Sequence, residues 1–362
     1  MALARISGVR VRGIVSSIPA KTLRLEDEAE LYGGNQAQID RLKATIGLDQ
    51  RRVVPDGMTS LDLSLPAARR VLEACGVEPK SIDGIICVTQ TPDYPQPGNG
   101  VLLQGQLGCG EGCAAFDINL GCSGYVYGLW MAHSLIAGGG LNRVLLIAAD
   151  TVSRIVSEED KALRPLFGDA ASATLLEADA TAPEATFDLR SDGTGYAALW
   201  QPGGGFREPL DSGNATRMEI DAGIRRRRDE LHMDGAAIFN FSLKVEPPAI
   251  KEILEASGWE SEAVRGFVFH QANRYIIENI RRRLKLPAEK VPSGTVEKYG
   301  NSSGASIPVT LCDHYGKALE KGDHPFVLSG FGVGLSWASC ALHLSDLDGC
   351  ELLEVGSKAA LA

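Results

Sequence analysis

The sequence is poor in several things, and each absence excludes something. No run of 18 or more apolar residues occurs in the 362, which argues against a membrane-spanning helix. The start, MALARISGVRVRGIVSSIP, alternates apolar and polar residues and lacks a basic region, an apolar stretch and a cleavage site; it reads as a first strand and not as a secretory leader. Positive charge is short: the formal net charge is −10 and the pI near 5.2, so general nucleic-acid binding is not expected. Cys109 and Cys113 have neither a CxxC pair nor a flanking histidine, so no metal is expected there. Without a leader, the eight cysteines should be reduced and mostly buried, and the expected location is the cytoplasm. Histidine is scarce, with six in the chain.

What the sequence has is a repeat of itself. Residues 71–90, VLEACGVEPKSIDGIICVTQ, match 253–272, ILEASGWESEAVRGFVFHQA, with six identities in twenty at a shift of 182. GCSGYVYGLW from Gly121 lies over NSSGASIPVT from Asn301 at a shift of 180. Two matches at half the chain length suggest a duplicated α/β unit. Apolar runs without two-residue alternation, Ile85–Thr89, Val144–Ala148, Phe267–His270 and Phe326–Ser329, read as strands buried on both faces. They alternate with helical stretches such as Leu61–Cys75 and Pro247–Ser257, which implies sheets covered by helices. The expected organisation is an N-terminal half over 1–178, a C-terminal half over 179–345 and a loose tail over 346–362. The Gly-rich stretch Ser191–Arg228 reads as an inserted loop.

Cys122 sits between Gly121 and Gly124, in a turn that starts the apolar helix Ser123–Ile136. Small neighbours permit a sharp turn, and a helix N-terminus favours a thiolate. A small buried thiol at a crowded turn is the bland alternative. His270 ends an apolar strand, where ligands approach α/β sheets, and the repeat gives Val88 in its place. A satisfied core histidine is the alternative here. Asn301 lies opposite Gly121 in the repeat, and on its own would pass for a helix cap or turn residue. Pseudo-twofold symmetry would bring the two turns together. LSGFGVGLSW at 328–337 reads as a Gly-rich turn whose N–H groups could hold an oxyanion, worth roughly 3–4 kcal/mol per donor.

DINLGCSGYVYG, FHQANRYI, KYGNSSGASIPVTL, GFGVGLSW, LFGDAASATLL and LHMDGAAIFNF together resemble the ketoacyl-acyl-carrier-protein synthase III family, in colinear order from about residue 3 to 344. The resemblance implies an α/β, thiolase-like, five-layered α-β-α-β-α fold built from a duplicated half, and a homodimer. It implies an acyltransferase in which an acyl thioester charges Cys122 and a malonyl-acyl-carrier protein then condenses with loss of carbon dioxide. His270 and Asn301 would donate to the enolate, and the N–H groups of Cys122 and Val333 would form the oxyanion hole. Gln96, Asn273, Phe239, Phe331, Arg41 and Lys161 would contact substrate. No cofactor is implied beyond coenzyme A or acyl-carrier-protein thioesters as substrates.

Arg41 and Lys161 stand where fatty-acid-initiating members often carry Trp and Arg against adenine, Gln96 where they have a gating Phe, and Val333 where they have Gly. These departures fit a specialised member of a secondary pathway. Acyl transfer from Cys122 to an oxygen or nitrogen nucleophile is the alternative reaction. A hydroxymethylglutaryl-type condensation would need a glutamate in the loop 88–92, which has none, and a non-catalytic partner subunit would lack the cysteine. Arg225–Arg228, Arg281–Arg283 and Lys285 are candidate contacts for an acidic carrier protein.

Overall fold

A computed structural model describes residues 2–211 and 213–356. Two sheets carry the fold. One has six strands in the order Gly349–Val355, Val9–Pro19, Ala170–Ala178, Arg143–Asp150, Gly84–Val88, Ala114–Ile118. The other has five, Ala2–Ile6, Ala185–Ser191, Ser336–Ser345, Asp323–Gly332, Gly266–Phe269. The helices Gly124–Ala137 and Ser306–Thr310 pack between the sheets. Ser60–Ala74 and Asn99–Leu107 cover the outer face of the first sheet, and Gly235–Ser257 that of the second, with Arg274–Leu284 packed on it. The architecture is therefore the five-layered α-β-α-β-α of the thiolase fold.

The repeat is visible in the hydrogen-bond registers. In the first sheet Gly84–Val88 runs parallel to Arg143–Asp150, with Gly84 opposite Val144. In the second, Gly266–Phe269 runs parallel to Asp323–Gly332, with Gly266 opposite Phe326. Both pairs repeat at the shift of 182. In each sheet the next two strands outward are antiparallel. The strands Gly84–Val88 and Gly266–Phe269 are buried throughout, as expected of strands covered on both faces.

The expected tail needs correction. Gly349–Val355 is a strand, parallel to Val9–Pro19 with Gly349 opposite Gly13, and it forms an edge of the six-stranded sheet. Glu351 and Glu354 hid it, because they interrupt the apolar run in GCELLEV, of which only Gly349 and Cys350 are buried. Residues 357–362 lie outside the described residues. The insertion also has structure: Met218–Asp221 and Ile224–Arg226 form a hairpin. The helix expected from Pro247 begins twelve residues earlier, at Gly235, where Asp234 caps it by accepting from the Ala237 N–H. Pro247 cannot donate to the carbonyl of Leu243. That carbonyl accepts from Arg283 Nη1 at 2.9 Å, so the group that Pro247 leaves open is satisfied as the helix continues.

On this helix Glu246 is fully buried against the second sheet. Its Oε2 accepts from the Ser329 hydroxyl at 2.7 Å, its Oε1 has no partner, and burial pushes its carboxyl up to about 8. The folded chain thus keeps this proton to about pH 8, whereas the unfolded chain releases it near the ordinary glutamate value of 4.5. Stability should fall as pH rises from about 5 to 8. Glu246→Gln keeps the shape and removes the titration, so its stability relative to the parent should grow by roughly 1–3 kcal/mol over that range. Denaturant titrations of both proteins at pH 5 and 8 check this; an equal difference at both pH values would contradict it.

Candidate active site

Cys122, His270 and Asn301 line one cavity of about 550 Å³ whose walls are mostly apolar. Each reaches it from a different element. Cys122 is the turn before the buried helix Gly124–Ala137, closed by the Gly124 N–H donating to the Gly121 carbonyl at 2.7 Å. His270 follows the strand Gly266–Phe269. Asn301 precedes the second central helix and is clamped by the LFGD segment: its N–H donates to the Leu166 carbonyl, and its carbonyl accepts from the Gly168 N–H. Gly168 permits this, since a Cβ there would lie 1.9 Å from the Tyr299 carbonyl oxygen.

The two repeat-related turns touch. A Cβ on Gly304 would stand 3.0 Å from the Gly121 carbonyl, and one on Gly121 would meet Ser303 Oγ at 3.2 Å and Gln90 Oε1 at 2.2 Å. The GFGVG turn closes the third side. A Cβ on Gly330 would fall 2.4 Å from the Cys122 carbonyl oxygen, and one on Gly332 would lie 2.8 Å from both Cβ and Sγ of Cys122. The glycines therefore let main chain reach the Cys122 sulfur, and the Val333 N–H favours its anion.

The charges here are set by burial. It pushes the Cys122 thiol up to about 12, and the negative charge of Asp150 pushes the same way; the Ser303 hydroxyl and the N–H groups of Val333 and Cys122 act against them. The helix N-terminus does not outweigh desolvation, so the resting group is a thiol. Burial drives His270 down to about 3 against the opposing pull of the Ser303 carbonyl, so the ring is neutral. Its Nδ1 lies 2.7 Å from Ser306 Oγ, and the Phe331 ring stands edge-on to it at 5.6 Å.

Of the other expected substrate contacts, Phe239, Asn273 and Phe331 line the cavity. Asn273 is also the cap of the helix Arg274–Leu284, accepting from the Ile276 N–H at 2.8 Å, and Phe239 stacks on Tyr275. Arg41 is exposed on the helix Gln36–Ile46, whose Leu42 and Ile46 reach the cavity. Lys161 is next to Ala162 and Leu163 of the wall and packs on Gly223. Gln96 is exposed on the 89–98 loop and does not line the cavity. The basic runs are largely consumed internally. Arg225 pairs with Glu159, Arg226 with buried Asp160, Arg227 with Asp229 and Arg228 with Glu208. Arg281 pairs with Glu278, and Arg283 serves Leu243, which leaves Arg282 and Lys285 without ion pairs among the described residues. All eight cysteines are unpaired and all but Cys113 are buried.

Sequence reasoning missed Ser303, Ser306 and Asp150. Asp150 had a signal: it ends the apolar strand VLLIAAD much as His270 follows GFVF. Ser303 had none beyond its place in GNSSG; its φ of +52°, in a region few residues other than glycine adopt, is a tertiary feature.

Two family models match the chain: 3-oxoacyl-[acyl-carrier-protein] synthase III over residues 116–193, and the C-terminal part of the same enzyme over 254–344. A Campylobacter jejuni relative, provisionally named a 3-oxoacyl-[acyl-carrier-protein] synthase 3, is 37% identical over 345 residues, 95% of this chain and 96% of its own. The beta-ketoacyl-[acyl-carrier-protein] synthase III of Xanthomonas campestris is 34% identical over 92% of this chain and 97% of its own. A crystal structure of a 3-oxoacyl-(acyl-carrier protein) synthase from Burkholderia xenovorans superposes with a TM-score of 0.91 at 35% identity, covering 98% of this chain and 99% of the other.

The close approach at Gly332 can be tested directly. Gly332→Ala places a methyl group against the sulfur, so Cys122 alkylation by iodoacetamide should slow at least tenfold, with a stability loss of about 1–3 kcal/mol from overpacking. Alkylation at the parent rate would show that the turn does not crowd the thiol.

Proposed function

The chain belongs to the 3-oxoacyl-[acyl-carrier-protein] synthase III family and is an acyltransferase-type condensing enzyme, and on that premise we propose that it joins an acyl group carried on Cys122 to a malonyl unit with loss of carbon dioxide. The observation that carries the proposal is the convergence of Cys122, a neutral His270 and Asn301 on one apolar cavity. An acyl thioester exchanges with the Cys122 thiol, and the donor's thiol leaves. Oxyanion formation in that step is met by the N–H groups of Cys122 and Val333. A malonyl thioester then enters with its carbonyl toward His270 and Asn301. Loss of carbon dioxide leaves an enolate, which two neutral donors stabilise without an ion pair that would also hold the ground state. In the ring form this requires, the Ser306 hydroxyl donates to Nδ1 and Nε2 carries the hydrogen. The enolate carbon attacks the acyl-cysteine carbonyl, and the Cys122 thiolate departs.

The acyl donor and the malonyl donor are taken to ride on acyl-carrier protein, the homodimer to be the working form and the cytoplasm its place. Arg41 and Lys161 offer no flat aromatic surface to an adenine, and loss of such stacking is worth roughly 1–3 kcal/mol. Phe239, Asn273 and Phe331 would contact the thioester arm. Arg282 and Lys285 remain available to an acidic carrier, which narrows the expected docking patch to these two.

Two outcomes are expected. Asn301→Ala should slow release of carbon dioxide from a malonyl-carrier donor about 100- to 1000-fold while Cys122 still becomes acylated. Isotope release at the parent rate would instead favour acyl transfer from Cys122 to an oxygen or nitrogen nucleophile. Arg282→Glu combined with Lys285→Glu should lower kcat/KM for a carrier-protein donor several-fold at low salt, and the deficit should shrink as screening shortens to about 8 Å at physiological ionic strength. Equal kcat/KM for parent and variant at every salt concentration would remove this patch from docking.

A further inference from the structure

The cavity around Cys122 has a buried floor and an open mouth. Cys122, His270, Asn301 and Phe331 form the floor and are at most 7% exposed. Ala162 and Tyr275 also line the cavity but are exposed, and they mark its mouth. With His270 neutral, one charged side chain among the described residues lines this space: Arg226, which the chemistry above does not use. It belongs to the inserted segment, on the inner strand of the hairpin Met218–Asp221 and Ile224–Arg226. We propose that Arg226 binds the phosphate at the end of the pantetheine arm that carries the thioester, so that the enzyme selects donors with a phosphorylated arm. The assignment rests on the reading of Cys122 as the acceptor of an acyl group from a thioester.

The hairpin is fastened to the cavity wall. Ile224 forms a β-bridge with Asp160, the Arg225 N–H donates to the Glu159 carbonyl at 3.1 Å, and the Ser157 hydroxyl donates to the Arg225 carbonyl at 2.6 Å. Arg226 Nε donates to Asp160 Oδ2 at 2.6 Å. Asp160 Oδ1 in turn accepts from the N–H groups of Ala162 and Leu163 at 2.9 and 3.0 Å, which ties the pair to the mouth. Asp160 is fully buried and does not line the cavity, whereas Arg226 does, so the guanidinium is the member that meets a ligand. Among the described residues Nε is its one nitrogen with a hydrogen bond. Two terminal nitrogens with four N–H groups remain, on a side chain only 6% exposed. So many open donors on so buried a side chain call for an acceptor, and the space it lines is the cavity.

The arm's own chemistry selects which acceptor. Its sulfur end must reach Cys122 on the floor, so its far end, the phosphate, comes to the mouth. The apolar walls suit the carbon chain between. The free edge of the guanidinium offers two parallel N–H groups that match two phosphate oxygens, whereas an amide carbonyl of the arm would use one. Asp160 balances the charge of Arg226, and Lys161 supplies the excess. Lys161 has no ion pair among the described residues, and its Nζ rests on the same hairpin, 2.8 Å from where a Cβ on Gly223 would stand. Glu159, beside them, is taken up by Arg217 and Arg225.

The test uses S-acetyl-4′-phosphopantetheine and S-acetyl-pantetheine, which differ in the phosphate alone. Acetylation of Cys122 in the full-length protein is followed by intact mass and peptide mapping, and the second-order rate constants for the two donors are compared as a ratio. In the parent the phosphorylated donor should react about 10- to 100-fold faster, the worth of charge-assisted hydrogen bonds. Arg226→Met should bring the ratio close to one. If Arg226 only shapes the wall, the variant slows both donors alike and keeps the parent ratio, which overturns the assignment. Arg226→Met leaves the Asp160 carboxylate buried without its partner, so the double variant Arg226→Met with Asp160→Asn is measured beside it. It removes both charges and should show the same collapsed ratio; the parent ratio in this protein overturns the assignment even if the single variant does not fold. A parent acetylated equally fast by both donors also overturns it, while leaving Cys122 as the acyl carrier. A parent that takes acetyl from neither donor sinks the reading of the nucleophile, and the assignment with it.

Discussion

Everything at the centre of this molecule depends on how closely main chain can approach one sulfur atom. Cys122 is enclosed by its own turn, by the turn before the second central helix and by the GFGVG hairpin. Those approaches exist because Gly121, Gly304, Gly330 and Gly332 carry no Cβ. A side chain at any of them would have to displace a carbonyl, a glutamine or the sulfur itself. The sheets and helices can be viewed as the scaffold that holds three glycine-bearing segments in contact. In a densely packed interior such contacts cannot be loosened by a few tenths of an ångström without cost elsewhere.

Burial supplies the second theme. Arg226, which also lines the cavity, is committed to Asp160, and desolvation is the largest influence on each titrating group of the site. It keeps the thiol protonated, the imidazole neutral and the Asp150 carboxyl less acidic than usual. All three shifts favour the uncharged form, and they therefore make hydrogen-bond donation, rather than ion pairing, the currency of the chemistry. A substrate entering this cavity displaces water from walls already mostly apolar, which strengthens each remaining dipole.

Much of this was legible in the sequence because the repeat carried it. The paired strands 84–88 and 266–269 and the place of His270 opposite Val88 follow from a shift of 182 in the alignment of the chain with itself, and the positions of Cys122 and Asn301 at equivalent turns from one of 180. What stayed hidden had specific causes. Gly349–Val355 is an edge strand broken by Glu351 and Glu354 and only partly buried, so it lacks the apolar signature of its neighbours. The helix from Gly235 runs past Pro247, where Arg283, distant in sequence, serves the carbonyl that this proline cannot. The arginine run 225–228 looked like free positive charge because its acidic partners lie up to 66 residues away. Asp150 and Gly332 are related by the same shift of 182 and approach the same thiol, yet nothing in either residue type announces it.

The strand Gly349–Val355 bears on how separable the halves are. It is parallel to Val9–Pro19, so the sheet of the first half is finished by a segment that follows the whole of the second. Likewise Ala2–Ile6, which opens the first half, pairs with Ala185–Ser191 of the second sheet. Each repeat thus lends an outer strand to the other, like two clasped hands. A fragment cut at residue 178 would expose the unsatisfied main chain of Val9–Pro19 along an open edge prone to pairing with other chains. The repeats are alike without being modules, and any recombination that swaps one half for a relative's must carry both exchanged strands with it.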